Sequence, residues 1–138
     1  LSSRVEMTMR ILLDSHVFLW YIQDDPRLPA SFRVALRDLA NDVYLSVASI
    51  WELVIKHSIG KLPLPDSPAL YLPLKRDEHK FASLPVDEAA MPHLATLPSI
   101  HRDPFDRILV SQALQFGLTL ATTDPLVAAY PVLLLPAV

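Results

Sequence analysis

Short apolar runs alternate along this chain with longer amphipathic stretches, and that alternation sets the expected elements. Arg10-Ile11-Leu12-Leu13-Asp14 reads as a buried strand, with a helix from His16 to Gln23 behind it and a loop from Asp24 to Pro29. Phe32, Ala35, Leu36 and Leu39 recur at helical spacing within 30–41. Val43 to Ser46 reads as a second strand, and Val47 to Ser58 as a strongly helical segment that Gly60 closes. Between Lys61 and Lys80, Pro63, Pro65, Pro68 and Pro73 exclude one long helix and leave room for a short one over 69–74. A third strand is expected over 81–86, a helix over 87–97, a clear helix over 104–117, a strand over 118–122 and a last short strand over 132–135. Strand–helix alternation of this kind predicts an α/β fold on a mainly parallel sheet, in one domain from 9 to 138 with residues 1–8 as an extension outside it.

Composition sharpens this picture. Half of the 138 residues are hydrophobic (51%) and 20% are charged, enough to build a core and too apolar for disorder. No apolar run approaches the roughly 20 residues that cross a bilayer, and Arg4 and Glu6 interrupt the start, so neither a membrane span nor a signal peptide is expected. The absence of cysteine excludes disulfides, thiol nucleophiles and cysteine zinc sites, and makes the cytoplasm the default compartment. A net charge of −3 does not advertise a nucleic-acid binder, unless acids gather in one pocket and hold cations that reverse the local sign.

In open parallel sheets, ligands bind beyond the carboxyl ends of the strands. Four acids fall there. Asp14 ends the first strand, Glu52 lies in the helix after the second, Asp106 in the first turn of the Pro104 helix, and Asp124 after the strand at 118–122. Carboxylates with water suit Mg²⁺ or Mn²⁺, and such a cluster can activate water against a phosphate. Without a cation they would repel one another, and some would hold protons. Simpler roles compete at each position. Asp14 can cap the next helix, Glu52 can pair with Lys56 at i, i+4, and Asp103 and Asp124, each before proline, look like caps. Asp106 is the sharpest signal, because it shares an arc with Leu109, Val110 and Ala113 while Arg107, Ser111 and Gln115 face away.

The strings Met9-Arg-Ile-Leu-Leu-Asp-Ser-His-Val-Phe-Leu-Trp20 and His101-Arg-Asp-Pro-Phe-Asp-Arg-Ile-Leu-Val-Ser-Gln-Ala113 resemble PIN-domain nucleases, specifically the VapC-type toxins. Val43 to Leu53 and Leu118 to Asp124 continue the match, which spans nearly all of 9–132. The resemblance implies a PIN-like fold, a central parallel sheet of about five strands surrounded by helices, with Asp14, Glu52, Asp106 and Asp124 around one or two Mg²⁺ or Mn²⁺ ions. It makes Ser15, Thr122 and Thr123 polar neighbours of the acids and leaves Asp103 beside them. It implies endonucleolytic cleavage of RNA by metal-activated water, leaving a 3′-hydroxyl and a 5′-phosphate. It also implies a homodimer silenced by an antitoxin protein that covers the site.

Other residues carry weaker expectations. The five histidines form no helical zinc pair, and His101 stands out only by preceding the acid segment. Arg107 is a candidate phosphate contact, with an ion pair as its rival. Trp20, Tyr21 and Trp51 are expected to pack rather than stack on bases, and the proline-rich stretch 61–73 is expected as an exposed loop. Two alternatives stand beside the ribonuclease reading. One is another metal-dependent phosphodiester hydrolase acting on DNA; the other is a PIN-fold interaction module without activity. A haloacid-type phosphatase is disfavoured because Asp14-Ser15-His16 stands where that class carries Asp-x-Asp.

Overall fold

The computed structural model describes residues 8–138, so the expected extension at 1–8 lies outside the described residues except for Thr8. The chain runs β1 (Arg10–Leu13), α1 (Ser15–Ile22), α2 (Ala30–Arg37), β2 (Asp42–Ser46), α3 (Val47–Ser58), α4 (Pro68–Glu78) and β3 (Ala82–Leu84). A 3₁₀ turn (Glu88–Ala90) then leads into α5 (Met91–Ala95), α6 (Pro104–Phe116), β4 (Thr119–Ala121), α7 (Pro125–Ala128) and β5 (Leu133–Leu134). All strand pairs are parallel, in the order β3-β2-β1-β4-β5.

Because side chains alternate across a strand, β1 feeds two cores at once. Ile11 and Leu13 pack into one layer with Val17, Phe18, Phe32, Leu45, Leu53, Leu72 and Phe81. Leu12 faces the other layer with Leu109, Val110, Ala113, Leu120, Val127 and Tyr130. The register agrees, since Leu12 pairs with Tyr44 on one side and Leu120 on the other. From β1 the chain steps to β2 and β3 on one side, then crosses to β4 and β5 on the other. The reversal falls between β1 and β4, and at such a point the loops diverge and leave a crevice at the carboxyl ends.

Several expected elements change in extent, each for a local reason. The helix expected over 30–41 stops at Arg37 because Asp38 turns extended, accepts from the Ala40 amide (2.9 Å), and Asn41 Nδ2 donates to the Ala35 carbonyl (2.9 Å). The expected helix over 87–97 divides into the 3₁₀ turn and α5, with Pro92 in its first turn. The short helix expected at 69–74 is instead the eleven-residue α4, with Pro68 at its start and Pro73 inside it. Pro73 cannot bond the Ala69 carbonyl, yet Ala69 is exposed to water and Leu72 is fully buried, so anchoring outweighs the lost bond. The proline-rich stretch is therefore a loop only as far as Ser67. The short α7 follows Asp124 where no helix was expected.

The face assigned to α6 also needs correction. Ser111 and Gln112 are fully buried, because α6 packs against β4 on one side and α3, α5 and the 3₁₀ turn on others. Ser111 Oγ donates to the Arg107 carbonyl (2.8 Å). Gln112 ties α6 to the sheet, accepting from Ser46 Oγ (2.6 Å) and donating to the Pro85 carbonyl (3.0 Å). Replacing Gln112 by leucine should cost about 1–3 kcal/mol, because it removes two hydrogen bonds and leaves the buried Ser46 hydroxyl without its acceptor. Urea denaturation of Gln112→Leu checks this, and an unchanged midpoint would contradict it.

Candidate active site

Each of the four acids reaches the carboxyl edge of the sheet by a different local device. Asp14 follows β1 directly, its amide bonded to the Ala121 carbonyl of β4 (3.0 Å), and its carboxylate caps α1 through the His16 amide (3.2 Å). Capping and placement at the edge are thus one arrangement, not competing ones. Thr122, just past β4, donates Oγ1 to Asp14 Oδ2 (2.7 Å). Ser15 Oγ lies 3.5 Å from Asp14 Oδ1 and donates to Glu52 Oε1 at 2.5 Å, joining the first two acids.

Glu52 pairs with Lys56 (3.0 Å), as its spacing allows, yet it is buried rather than solvated. Asp103 caps α6 from the Phe105 (2.8 Å) and Asp106 (3.2 Å) amides, which leaves Asp106 free to point from the first turn. Asp124 caps α7 through the Leu126 amide (2.9 Å), while its other oxygen lies 3.8 Å from His101 Nε2. His101 Nε2 is 2.9 Å from Asp106 Oδ2. The donor atoms of His101, Asp106 and Asp124 lie within 4.8 Å of one another. The site therefore has two adjoining halves, Asp14 with Glu52 and Asp106 with Asp124.

Electrostatics shows that the halves sense each other. Burial, followed by repulsion from Asp14, Asp103, Glu52 and Asp124, pushes the Asp106 carboxyl up to about 8. Burial also raises Asp14, with Glu52 adding to the shift, although the bonds from Thr122 and the His16 amide oppose it. Oxygen donors in this number, whose mutual repulsion is otherwise relieved by proton uptake, suit a hard divalent cation. Among the described residues, the donor atoms that converge closely enough to hold one are those of His101, Asp106 and Asp124, with Asp14 and Glu52 buried in the adjoining half.

Other expected neighbours differ in placement. Thr122 also accepts from the Asp124 amide (3.1 Å), whereas Thr123 is exposed and touches neither acid through a hydrogen bond. Among the described residues Arg107 forms no ion pair, and its guanidinium is bonded to the neighbouring loop. Its Nη1 donates to the carbonyls of Pro98 (3.2 Å) and His101 (3.4 Å) and to Tyr130 Oη (3.2 Å). Trp20 packs against the first core under the Arg27 guanidinium (5.1 Å), while Trp51 is 61% exposed, edge-on to Phe105. Two participants escaped the sequence. Gln112 sits under the site by a bond no periodicity reveals, and Tyr130 reaches back to the acid loop from beyond β4. Ser46 carried a readable signal, since a serine before a helical run is a cap, here to the Ala48 amide (3.1 Å).

Comparison with known proteins places this geometry. A family model described as PIN domain matches residues 11–132. The chain belongs to the PIN domain family. A relative, Ribonuclease VapC16 of Mycobacterium tuberculosis, is 38% identical over 72 residues, 49% of this chain and 51% of that protein. The chain thus aligns with about half the length of this curated relative. Among solved structures, VapBC2 from Rickettsia felis, bound to a promoter DNA fragment, superposes with a TM-score of 0.70 at 18% identity, covering 93% of this chain and 98% of that one. FitAcB from Neisseria gonorrhoeae gives a TM-score of 0.63 at 25% identity, covering 92% and 97%.

The PIN site has a direct consequence for stability. Asp106 keeps its proton to about pH 8 when folded and releases it near its ordinary value of 3.8 when unfolded. Between those values the native state binds more protons, so this stabilisation is complete below pH 3.8 and is lost as pH rises through 8. Metal-free protein should therefore melt at lower temperature at pH 8.5 than at pH 6, and Asp106→Asn should flatten that decline. Melting curves of both proteins in chelator test it; an equally steep decline in the variant would contradict the assignment.

Proposed function

We propose that this PIN protein is a divalent-metal-dependent endoribonuclease, the VapC-type toxin of a toxin–antitoxin pair, acting in the cytoplasm. The observation that carries the reading is the crowding of acids at one sheet edge, where Asp106 and Asp124 offer oxygens within 4.8 Å of each other beside the buried Asp14 and Glu52 and repel one another. Such repulsion is tolerated when a cation joins the group. The ribonuclease relative supports the activity, and the toxin–antitoxin complexes among the structural neighbours support the partner.

In this reading Asp14, Glu52, Asp106 and Asp124 hold Mg²⁺ or Mn²⁺. When bound, the cation supplies a nucleophilic water at neutral pH and charge to offset that on the attacked phosphate. The protein's own share is placement. Thr122 and the His16 amide fix the Asp14 carboxylate, Ser15 and Lys56 fix Glu52, and the cap at Asp103 aims Asp106. Preorganised groups of this kind need little rearrangement as charge develops. The products expected are a 3′-hydroxyl and a 5′-phosphate. An apolar groove of about 230 Å³ lined by Val47, Trp51, Val86, Phe105 and Ile108 supports burial against a protein, either a second copy or the antitoxin.

The test uses partner-free protein with structured RNA and duplex DNA, in Mg²⁺ or Mn²⁺ and in chelator. RNA cleavage should stop with chelator and fall more than about 100-fold in Asp14→Asn and Asp106→Asn, beyond the usual cost of an outer partner. Cleavage of DNA alone would favour a different phosphodiesterase. Inactivity on both would favour an interaction module, and unchanged cleavage by the variants would overturn the site.

A further inference from the structure

His101 lies among the acids, yet the proposed reaction gives it no role. Its side chain is 19% exposed, and its two ring nitrogens face different partners. Nδ1 accepts the Asp103 amide hydrogen at 3.3 Å. An accepting nitrogen carries its lone pair outward, so the ring hydrogen must sit on Nε2. That nitrogen stands 2.9 Å from Asp106 Oδ2.

We propose that His101 is a positioning residue, which donates Nε2–H to Asp106 and presents the carboxylate's other oxygen to the bound cation. The inference rests on the metal-dependent reading above. The spacing of His101, Asp106 and Asp124 also fits a rival role, with His101 as a nitrogen ligand to the ion. A nitrogen bearing hydrogen has no lone pair to offer, and ligation would require the hydrogen to move to Nδ1. There it would meet the Asp103 N–H, setting two donors against each other. Asp103 thus acts twice. Its carboxylate caps α6, and its amide sets the tautomer of the histidine two residues earlier.

The rest of the loop is held to suit. The His101 amide donates to Tyr130 Oη (2.9 Å), and the His101 carbonyl accepts from Tyr130 OH (3.3 Å) and Arg107 Nη1 (3.4 Å). Arg107 also bonds Tyr130 Oη (3.2 Å), which closes a clamp around the His101 backbone. The clamp fixes the imidazole without using its side-chain nitrogens. Arg107 belongs to this support. A hydrogen-bonded partner that orients a ligating group typically contributes 10–100-fold in metal affinity.

The experiment is an EPR titration of Mn²⁺ into purified wild type, His101→Ala and His101→Gln, with metal-free melting curves checking that each folds. His101→Ala should bind Mn²⁺ at least about tenfold more weakly. His101→Gln should recover most of that loss, because its Nε2 amide can donate to the same oxygen. Pulsed EPR of the wild-type Mn²⁺ complex should show no directly bonded nitrogen. Unchanged affinity in His101→Ala, or a His101→Gln as weak as the alanine variant, would overturn the positioning role, and a bonded nitrogen in wild type would make His101 a ligand instead. Wild type that binds no Mn²⁺ would overturn the metal-dependent reading itself, and this inference with it.

Discussion

Like charges that meet at one edge of a sheet must be offset, and the interior of this protein is arranged around that need. Asp14 and Glu52 are almost wholly removed from water, where an unpaired carboxylate is costly. Each receives something in return. Asp14 takes hydrogen bonds from a helix N-terminus and from Thr122, while Glu52 takes one from Ser15 and a charge partner in Lys56. Asp106 has no cationic partner of that kind among the described residues, only the His101 ring, and burial together with the neighbouring acids pushes its carboxyl up to about 8. The imbalance falls where an added positive charge would do the most.

Convergence follows from topology. The strand order reverses between β1 and β4, so the segments leaving those strands part in opposite directions and expose the carboxyl ends. Asp14 and Thr122 are the first side chains beyond the two strands and bond across that gap. Glu52 and Asp106 arrive from helices packed against each other, α3 and α6, whose relative position Ser46 and Gln112 help to fix. A polar bond in the core thereby bears on the spacing of two acids above it.

Much of this was legible from residue order. The Ile11-Leu12-Leu13 run is apolar on both faces, as a central parallel strand must be, and Asp14 closes it abruptly. Asp103 and Asp106 were separable because Asp before Pro is a capping pattern whereas Asp106 shares an apolar arc. What stayed hidden depends on contacts across the chain. Whether Pro73 ends a helix turns on the exposure of Ala69 and the burial of Leu72, neither of which is local. The burial of Ser111 and Gln112 arises because α6 is covered on several sides, which a single-arc reading does not anticipate. Arg107 and Tyr130 are separated by 23 residues and meet at a carbonyl, so neither marks itself in sequence.

The fold and the family are established by the parallel sheet and the PIN match, and the chemistry rests on whether the acids share one ion. Anomalous diffraction from crystals grown with Mn²⁺ tests that most directly. The expected result is a peak in the crevice between β1 and β4, within ligating distance of both Asp14 and Asp106. A crevice without a peak at saturating Mn²⁺, or an ion held elsewhere on the molecule, would contradict it.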